Sequence, residues 1–83
     1  MRCAKIVGLA HAPQLNGRYV EILTPLEERT VPEHDGVRRT ALRYGARVMD
    51  DSTISGYFKP ENLEEADYRA VHIHLFGTEP RDT

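Results

Sequence analysis

The 83-residue sequence contains no tryptophan and a single cysteine, Cys3. One thiol cannot form an internal disulfide, so nothing indicates a secreted domain stapled by disulfides, and a reducing compartment fits. The longest apolar stretch near the start, Ala4–Ala10, is interrupted by Lys5. It is too short for a membrane span or for the apolar part of a signal peptide. We therefore expect a soluble, intracellular protein without membrane insertion, and the sequence does not specify an organelle.

The sequence also lacks an excess of basic residues. Eleven Lys and Arg residues against 13 Asp and Glu residues give a formal net charge of −2, which is unlike a dedicated duplex-binding protein. No acid, base and nucleophile cluster together, and there is no glycine-rich phosphate loop. A chain of this length buries only about 60% of its unfolded surface, which leaves no room for a deep cleft. We expect one domain, no enzymatic activity and no cofactor.

Alternation of inward and outward residues predicts five short β-strands. They cover Cys3–Leu9, Tyr19–Thr24, Tyr44–Met49, Ile54–Lys59 and Tyr68–Phe76. Along the first two, the expected inward residues are Ala4, Ile6, Val20 and Ile22. The stretch 24–40 is interrupted by prolines and a glycine turn, so it predicts an extended excursion in which 37–42 lengthens the third strand backwards.

Two turns organise these strands. Asn16-Gly17 is the strongest turn signal, because both residues tolerate positive φ. Pro60–Leu63 is too short for an α-helix and begins with proline, which predicts a 3₁₀ turn over 60–63 that places Leu63 in the mouth of a barrel. We read 64–67 as an acidic connector. The expected architecture is all-β: a small five-stranded barrel over 1–76 with almost no helix, and a polar C-terminal tail over 77–83.

Four pieces of sequence occur in a familiar order. They are Ile6-Val7-Gly8-Leu9, Pro13-Gln14-Leu15-Asn16-Gly17, the run from Gly17-Arg18-Tyr19 to Leu23, and Lys59-Pro60-Glu61-Asn62-Leu63. Together they resemble a small SH3-like barrel module that is similar to KOW and CAP-Gly domains and is often found beside MYND zinc fingers or ankyrin repeats. The likeness covers about residues 4–63. It implies an SH3-like fold but no particular chemistry, and Val20 stands where the family usually has glycine.

The resemblance also implies a binding surface. In SH3-like barrels the equivalent loop and 3₁₀ turn border a shallow groove in which aromatic rings receive extended peptides. The residues implied to contact a protein partner are Pro13, Leu15, Asn16, Arg18, Tyr44, Tyr57, Lys59 and Asn62. The alternative is that Pro60, Asn62 and Leu63 only close the barrel, with Asn62 bonded to backbone near the turn. We predict a non-enzymatic module for protein–protein interaction or assembly, or a small peripheral subunit of a larger complex.

A second function class is a KOW-like module associated with RNA or another nucleic acid. Its candidate residues are Arg38, Arg39, Arg43 and Arg47, with neighbouring tyrosines that could stack on bases. Acidic residues interleave with these arginines, which favours solvated strand faces whose charges compensate one another. We therefore rank nucleic acid below a protein partner.

Metal binding is the third alternative. His72 and His74 are two residues apart in a predicted strand, so both imidazoles would lie on one face. A zinc site needs further ligands, and none occurs at a paired spacing. We predict no metal site and a solvent-facing histidine pair.

Overall fold

The computed structural model describes residues 1–32 and 35–81. Within them lie six strands, two 3₁₀ turns and one α-helix. The strands are β1 (Cys3–Ile6), β2 (Tyr19–Ile22), β3 (Glu27–Pro32), β4 (Arg38–Val48), β5 (Ser55–Phe58) and β6 (Leu63–Ala66). The 3₁₀ turns span Pro13–Leu15 and Pro60–Asn62, and helix α1 spans Tyr68–Phe76. The predicted all-β class and the 3₁₀ turn after Lys59 are confirmed, with six strands in place of the expected five.

All strand pairs are antiparallel. Neighbouring strands run in the order β6, β1, β2 and β4. β5 lies on the other edge of β4, because Ala46 and Arg47 pair with β2 and β5 at once. The predicted strands Tyr44–Met49 and Ile54–Lys59 therefore correspond to the end of β4 and to β5, which form an antiparallel hairpin.

β3 continues the line of β2 along the same edge of β4. Ile22 is opposite Ala46 and Glu27 is opposite Arg43, so two extra residues bulge out between β2 and β3. At this bulge the Thr24 hydroxyl accepts a hydrogen bond from the Gly45 N–H at 2.8 Å. We call the two-stranded ribbon of residues 27–32 and 38–43 the arm. The molecule is elongated, with extents of 42 × 24 × 21 Å.

The arm corrects the expected excursion over 24–40. The backward extension of the third strand is confirmed from Arg38, but the stretch that prolines interrupt also contains a strand that the sequence pattern does not predict, β3. Thr30 and Thr40 are paired with their hydroxyls 2.5 Å apart, which is typical of a pair that does not exchange backbone hydrogen bonds. Pro32 is two residues from Thr30, so the pair of Pro32 with Arg38 does not exchange backbone hydrogen bonds either. The N–H that proline lacks would therefore have pointed away from β4. Glu33 and His34 lie outside the described residues.

The core lies where β1, β2, β4 and β5 overlap. Its buried members are Ala4, Ile6, Val20, Ala46, Val48 and Phe58. The expected inward orientation of Ala4, Ile6 and Val20 is confirmed, and Ile22 and Leu63 pack against the cluster from partly buried positions. Leu63 does so as the first residue of β6, opposite Ile6.

The predicted last strand is wrong, because Tyr68–Phe76 is the helix α1. The Asp67 carboxylate caps its start by accepting a hydrogen bond from the Arg69 N–H at 3.1 Å. Gly77 ends it in the left-handed conformation, with φ of 75°. These two caps override the alternating pattern. The expectation that the chain has almost no helix is therefore wrong as well, since α1 has nine residues.

The predicted acidic connector is also wrong, because residues 63–66 form β6 and pair with β1. Of the predicted tail, Thr78 and Glu79 contact α1 through His72 and Arg69, while Asp82 and Thr83 lie outside the described residues. No helix in the described part of the chain is both long and apolar enough to cross a membrane.

Candidate functional site

An open groove of about 390 Å³ lies beside the 3₁₀ turn that follows β5. The loop 8–12 forms one side, and residues 57–59 together with Glu61 and Asn62 form the other. Arg43 also lines the groove although it is only 6% exposed. The groove therefore combines backbone, aromatic, basic and amide groups within a single depression.

Asn62 fixes the near end of the 8–12 loop. Its side-chain amide donates to the Val7 carbonyl at 3.0 Å, and its own carbonyl accepts from the Val7 N–H at 2.9 Å. Gly8 follows with φ of +68°, and a Cβ atom there would lie 3.5 Å from the Asn62 amide nitrogen. The positive φ turns the chain away from β1 at the point where the groove begins.

Asn16 fixes the far end of the same loop. Its side-chain oxygen accepts from the Leu9 N–H at 2.9 Å, and its amide donates to the Leu9 carbonyl at 3.0 Å. The predicted Asn16-Gly17 turn is present, but only Gly17 takes a positive φ, with the Arg18 N–H donating to the Leu15 carbonyl. Two asparagine side chains thus hold the loop in place before any ligand arrives.

Tyr57 is the exposed aromatic ring of the groove, at 47% exposure. The Arg29 guanidinium lies 4.5 Å from its ring centroid and is held by Glu27 at 3.0 Å. Gly45, which pairs with Tyr57, leaves the ring room on the sheet surface. Sequence reasoning missed Arg29, since its contribution depends on the unrecognised strand β3.

The structure brings together only part of the predicted binding set. Tyr57, Lys59 and Asn62 line the groove, and Asn16 supports its loop. The remaining members have other contacts or positions: Leu15 packs against the core, Pro13 is exposed on the first 3₁₀ turn, Arg18 pairs with Asp50 at 3.0 Å, and Tyr44 lies under the Arg2 guanidinium at 5.6 Å. Lys59 has no acidic partner within the described residues.

The four arginines of the nucleic-acid alternative do not form one surface. Arg38 and Arg47 lie near opposite ends of the 11-residue β4, roughly 30 Å apart. Arg47 pairs with Glu21 at 3.6 Å and Arg39 with Asp35 at 3.0 Å. The buried Arg43 belongs to the groove.

The two histidines do not share a face as a strand would have required. Two residues apart on α1, they point in different directions. The His72 ring lies 4.7 Å from that of Phe76, and the His74 ring lies 6.4 Å from that of Tyr19. Within residues 1–32 and 35–81, no three His, Cys, Asp or Glu side chains are grouped as a metal site requires.

Cys3 is fully buried in β1, and its thiol contacts the Ala66 carbonyl at 3.5 Å. Burial, followed by the charges of Asp67 and Glu65, raises the pKa of this thiol. A raised pKa disfavours the thiolate that a nucleophilic cysteine requires.

Comparison with protein-family models, with curated proteins and with solved structures gave no match.

Proposed function

We propose that this chain is a non-enzymatic, SH3-like interaction module that binds an extended segment of another protein in the groove, as a domain or as a small subunit of a larger assembly. The observation that carries the proposal is the pre-organised groove between the 8–12 loop and the Tyr57–Asn62 segment. Its volume of about 390 Å³ is sufficient for a few side chains.

The lining chemistry supports an extended peptide. Tyr57 offers exposed aromatic surface next to a polar rim, a combination common at protein interfaces. Asn62 and Asn16 already hold the 8–12 loop, so little loop ordering opposes binding. The open form of the groove suits a ligand that enters as part of a longer chain.

The charges favour a protein over a nucleic acid. Arg39 and Arg47 are paired with acidic residues, and the whole chain is net negative. Neither feature provides the continuous basic surface on which phosphate-driven binding depends.

The test is a selection of random 12-residue peptides displayed on phage against the whole chain, followed by affinity measurements on the enriched peptides. Tyr57→Ala should weaken binding at least about tenfold, as expected for an aromatic residue at the centre of an interface. The matched control is Tyr68→Ala, which removes a partly exposed tyrosine from α1 and should leave affinity unchanged. Circular dichroism of both variants checks that they fold.

Failure to enrich any peptide, or equal losses for both tyrosine variants, would contradict the proposal. A parallel titration with single-stranded RNA tests the alternative. Binding that falls steeply with salt and is lost in Arg43→Ala or Arg47→Ala would assign the module to nucleic acid instead.

A further inference from the structure

The second edge of the arm has no strand neighbour among the described residues. β5 covers β4 only from Arg47 to Tyr44, and Pro60 then turns the chain into the 3₁₀ turn. Beyond that point β4 continues to Arg38 and pairs with β3 on its other edge alone. Six residues of β4, 38–43, or roughly 20 Å, therefore have no strand neighbour among the described residues on the side from which β5 departs.

The hydrogen-bond phase shows which groups this edge presents. The Val48 N–H donates to the Ile54 carbonyl on the β5 side, whereas the Gly45 carbonyl accepts from the Leu23 N–H on the β2 side. Alternation along the uninterrupted strand directs the N–H and carbonyl groups of Thr40 and Leu42 to the β5 side. The close contact between the Thr30 and Thr40 hydroxyls agrees with this phase.

The two edges of the arm differ in their ability to accept another strand. On the outer edge of β3, Pro32 has no N–H to donate to another strand. The backbone N–H of the charged Glu28, four residues earlier, points to the same outer edge. Proline and charge are devices that protect an edge strand from pairing. The β4 edge retains its donors and ends at Arg43, which also lines the groove.

We propose that an acidic, extended segment of a partner protein adds to this open β4 edge and continues into the groove. The proposal rests on the proposed function and specifies its partner. The added strand would use the backbone groups of Thr40 and Leu42, a mode in which main-chain bonds supply affinity. Leu42 is 55% exposed and offers apolar contact beside that strand.

Charge complementarity determines the choice of an acidic segment. Arg38 at the outer end of the edge and Lys59 at the groove both lack an acidic partner within residues 1–32 and 35–81. A bound strand of five or six residues with a carboxylate near each end would pair with both. Side chains of the partner between those carboxylates would lie over Thr40 and Leu42.

A second copy of this chain fits the same edge less well. Antiparallel pairing of two β4 edges about a two-fold axis at Ala41, which would pair Thr40 with Leu42, would place Arg39 opposite Arg43 of the other copy. Like charges directly opposite each other destabilise a strand pair. The acidic partner avoids this repulsion.

The experiment compares Thr40→Pro with Thr30→Pro, using the peptides enriched by phage display. Both variants lose the same hydroxyl contact and one N–H that the β3–β4 ladder does not use. Only Thr40→Pro removes a donor from the proposed docking edge. We expect net acidic peptides, a loss of at least tenfold in affinity for Thr40→Pro and a change within twofold for Thr30→Pro.

A charge reversal keeps the test valid should Thr40→Pro fail to fold. Arg38→Glu should weaken the acidic peptides at least tenfold, and Arg81→Glu, an exposed residue outside the arm, should not. The edge proposal would be overturned if the enriched peptides were neutral or basic. It would also be overturned if Thr40→Pro bound as tightly as Thr30→Pro and Arg38→Glu bound as tightly as Arg81→Glu. If Tyr57→Ala still abolished binding in that case, the groove function would stand without it.

Analytical ultracentrifugation of the protein without peptide tests whether a second copy of the chain, rather than an acidic partner, occupies the β4 edge. A dimer that forms without peptide and is lost in Thr40→Pro would assign the edge to a second copy and overturn the acidic partner.

Discussion

Gly45 is the position where a single added methyl group should be most informative. A Cβ atom there would lie 3.0 Å from both Cγ2 and Oγ1 of Thr24 and 3.5 Å from Cε1 of Tyr57. The Thr24 hydroxyl cannot turn away freely, since it accepts from the Gly45 N–H at 2.8 Å and contacts the Pro25 carbonyl at 3.1 Å. Relief of the clash therefore requires movement of the bulge or loss of these hydrogen bonds.

Gly45→Ala should lower the free energy of unfolding by about 1–3 kcal/mol, the usual cost of overpacking. In a domain of this size each 1 kcal/mol corresponds to a melting-temperature shift of about 4–8 °C. Gly56→Ala is the matched control in the adjacent strand, where the new methyl would meet nothing closer than Phe58 at 3.7 Å. It should raise stability by about 0.4–1 kcal/mol, because alanine reduces the entropy of the unfolded chain.

Urea unfolding followed by circular dichroism measures both variants, and a double variant tests the mechanism. Thr24→Ser removes the Cγ2 methyl while keeping the hydroxyl, so combined with Gly45→Ala it should recover at least about 0.5 kcal/mol relative to additive behaviour. The steric reasoning is refuted if the two glycine variants shift stability in the same direction, or if the double variant shows no coupling.

Two further predictions concern stability. Leu63→Ala should lower the free energy of unfolding by about 2 kcal/mol, the low end for leucine truncation, because Leu63 is only partly buried. Glu61→Ala, at an exposed position, should change it by no more than about 0.5 kcal/mol. Equal melting temperatures for the two variants would contradict this prediction. The Thr53 hydroxyl and N–H lower the pKa of Asp51 below its ordinary 3.8, so its contribution to stability is complete above that pH and is lost as pH falls through the folded-state pKa. Thr53→Val should reduce this acid dependence in pH-dependent melts, and an unchanged profile would exclude the role.

The body of the fold could be predicted from sequence because its strands alternate strictly. Ala4, Ile6 and Val20 are buried as expected, and the proline after Lys59 marks the second 3₁₀ turn. β3 could not be recognised from the sequence, because proline usually argues against a strand. Pro32 fits in β3 only because its nitrogen lies on the side away from β4, where no backbone hydrogen bond is needed. Helix α1 was hidden by an accidental alternation, although Asp67 and Gly77 carried the correct signals at its two ends.

The candidate site was predictable to a similar extent. Tyr57, Lys59 and Asn62 lie in the groove because they precede or belong to the recognisable 3₁₀ turn. Arg29 reaches Tyr57 across the sheet surface from β3, a relation that no local pattern encodes. Tyr44 is not among the residues that line the groove, and the contact of its ring with Arg2 could not be predicted, because alternation gives the face of a strand but not the neighbour that covers it.

The pairing of β1 with β6 has a consequence for how burial is distributed. Val7 and Asn62, joined by a hydrogen bond next to this pairing, are 55 residues apart, whereas Thr30 and Thr40 in the arm are 10 apart. The loop-closure entropy of the longer connection is greater by about 1.5 kcal/mol. Correspondingly, Cys3, Ala4 and Ile6 of β1 are at most 1% exposed, while Arg43 is the only buried residue in the described arm. Burial is therefore greatest at the β1–β6 pairing, where the loss of chain entropy opposes folding most. The arm closes a short loop, so less burial is required to offset its loss of entropy.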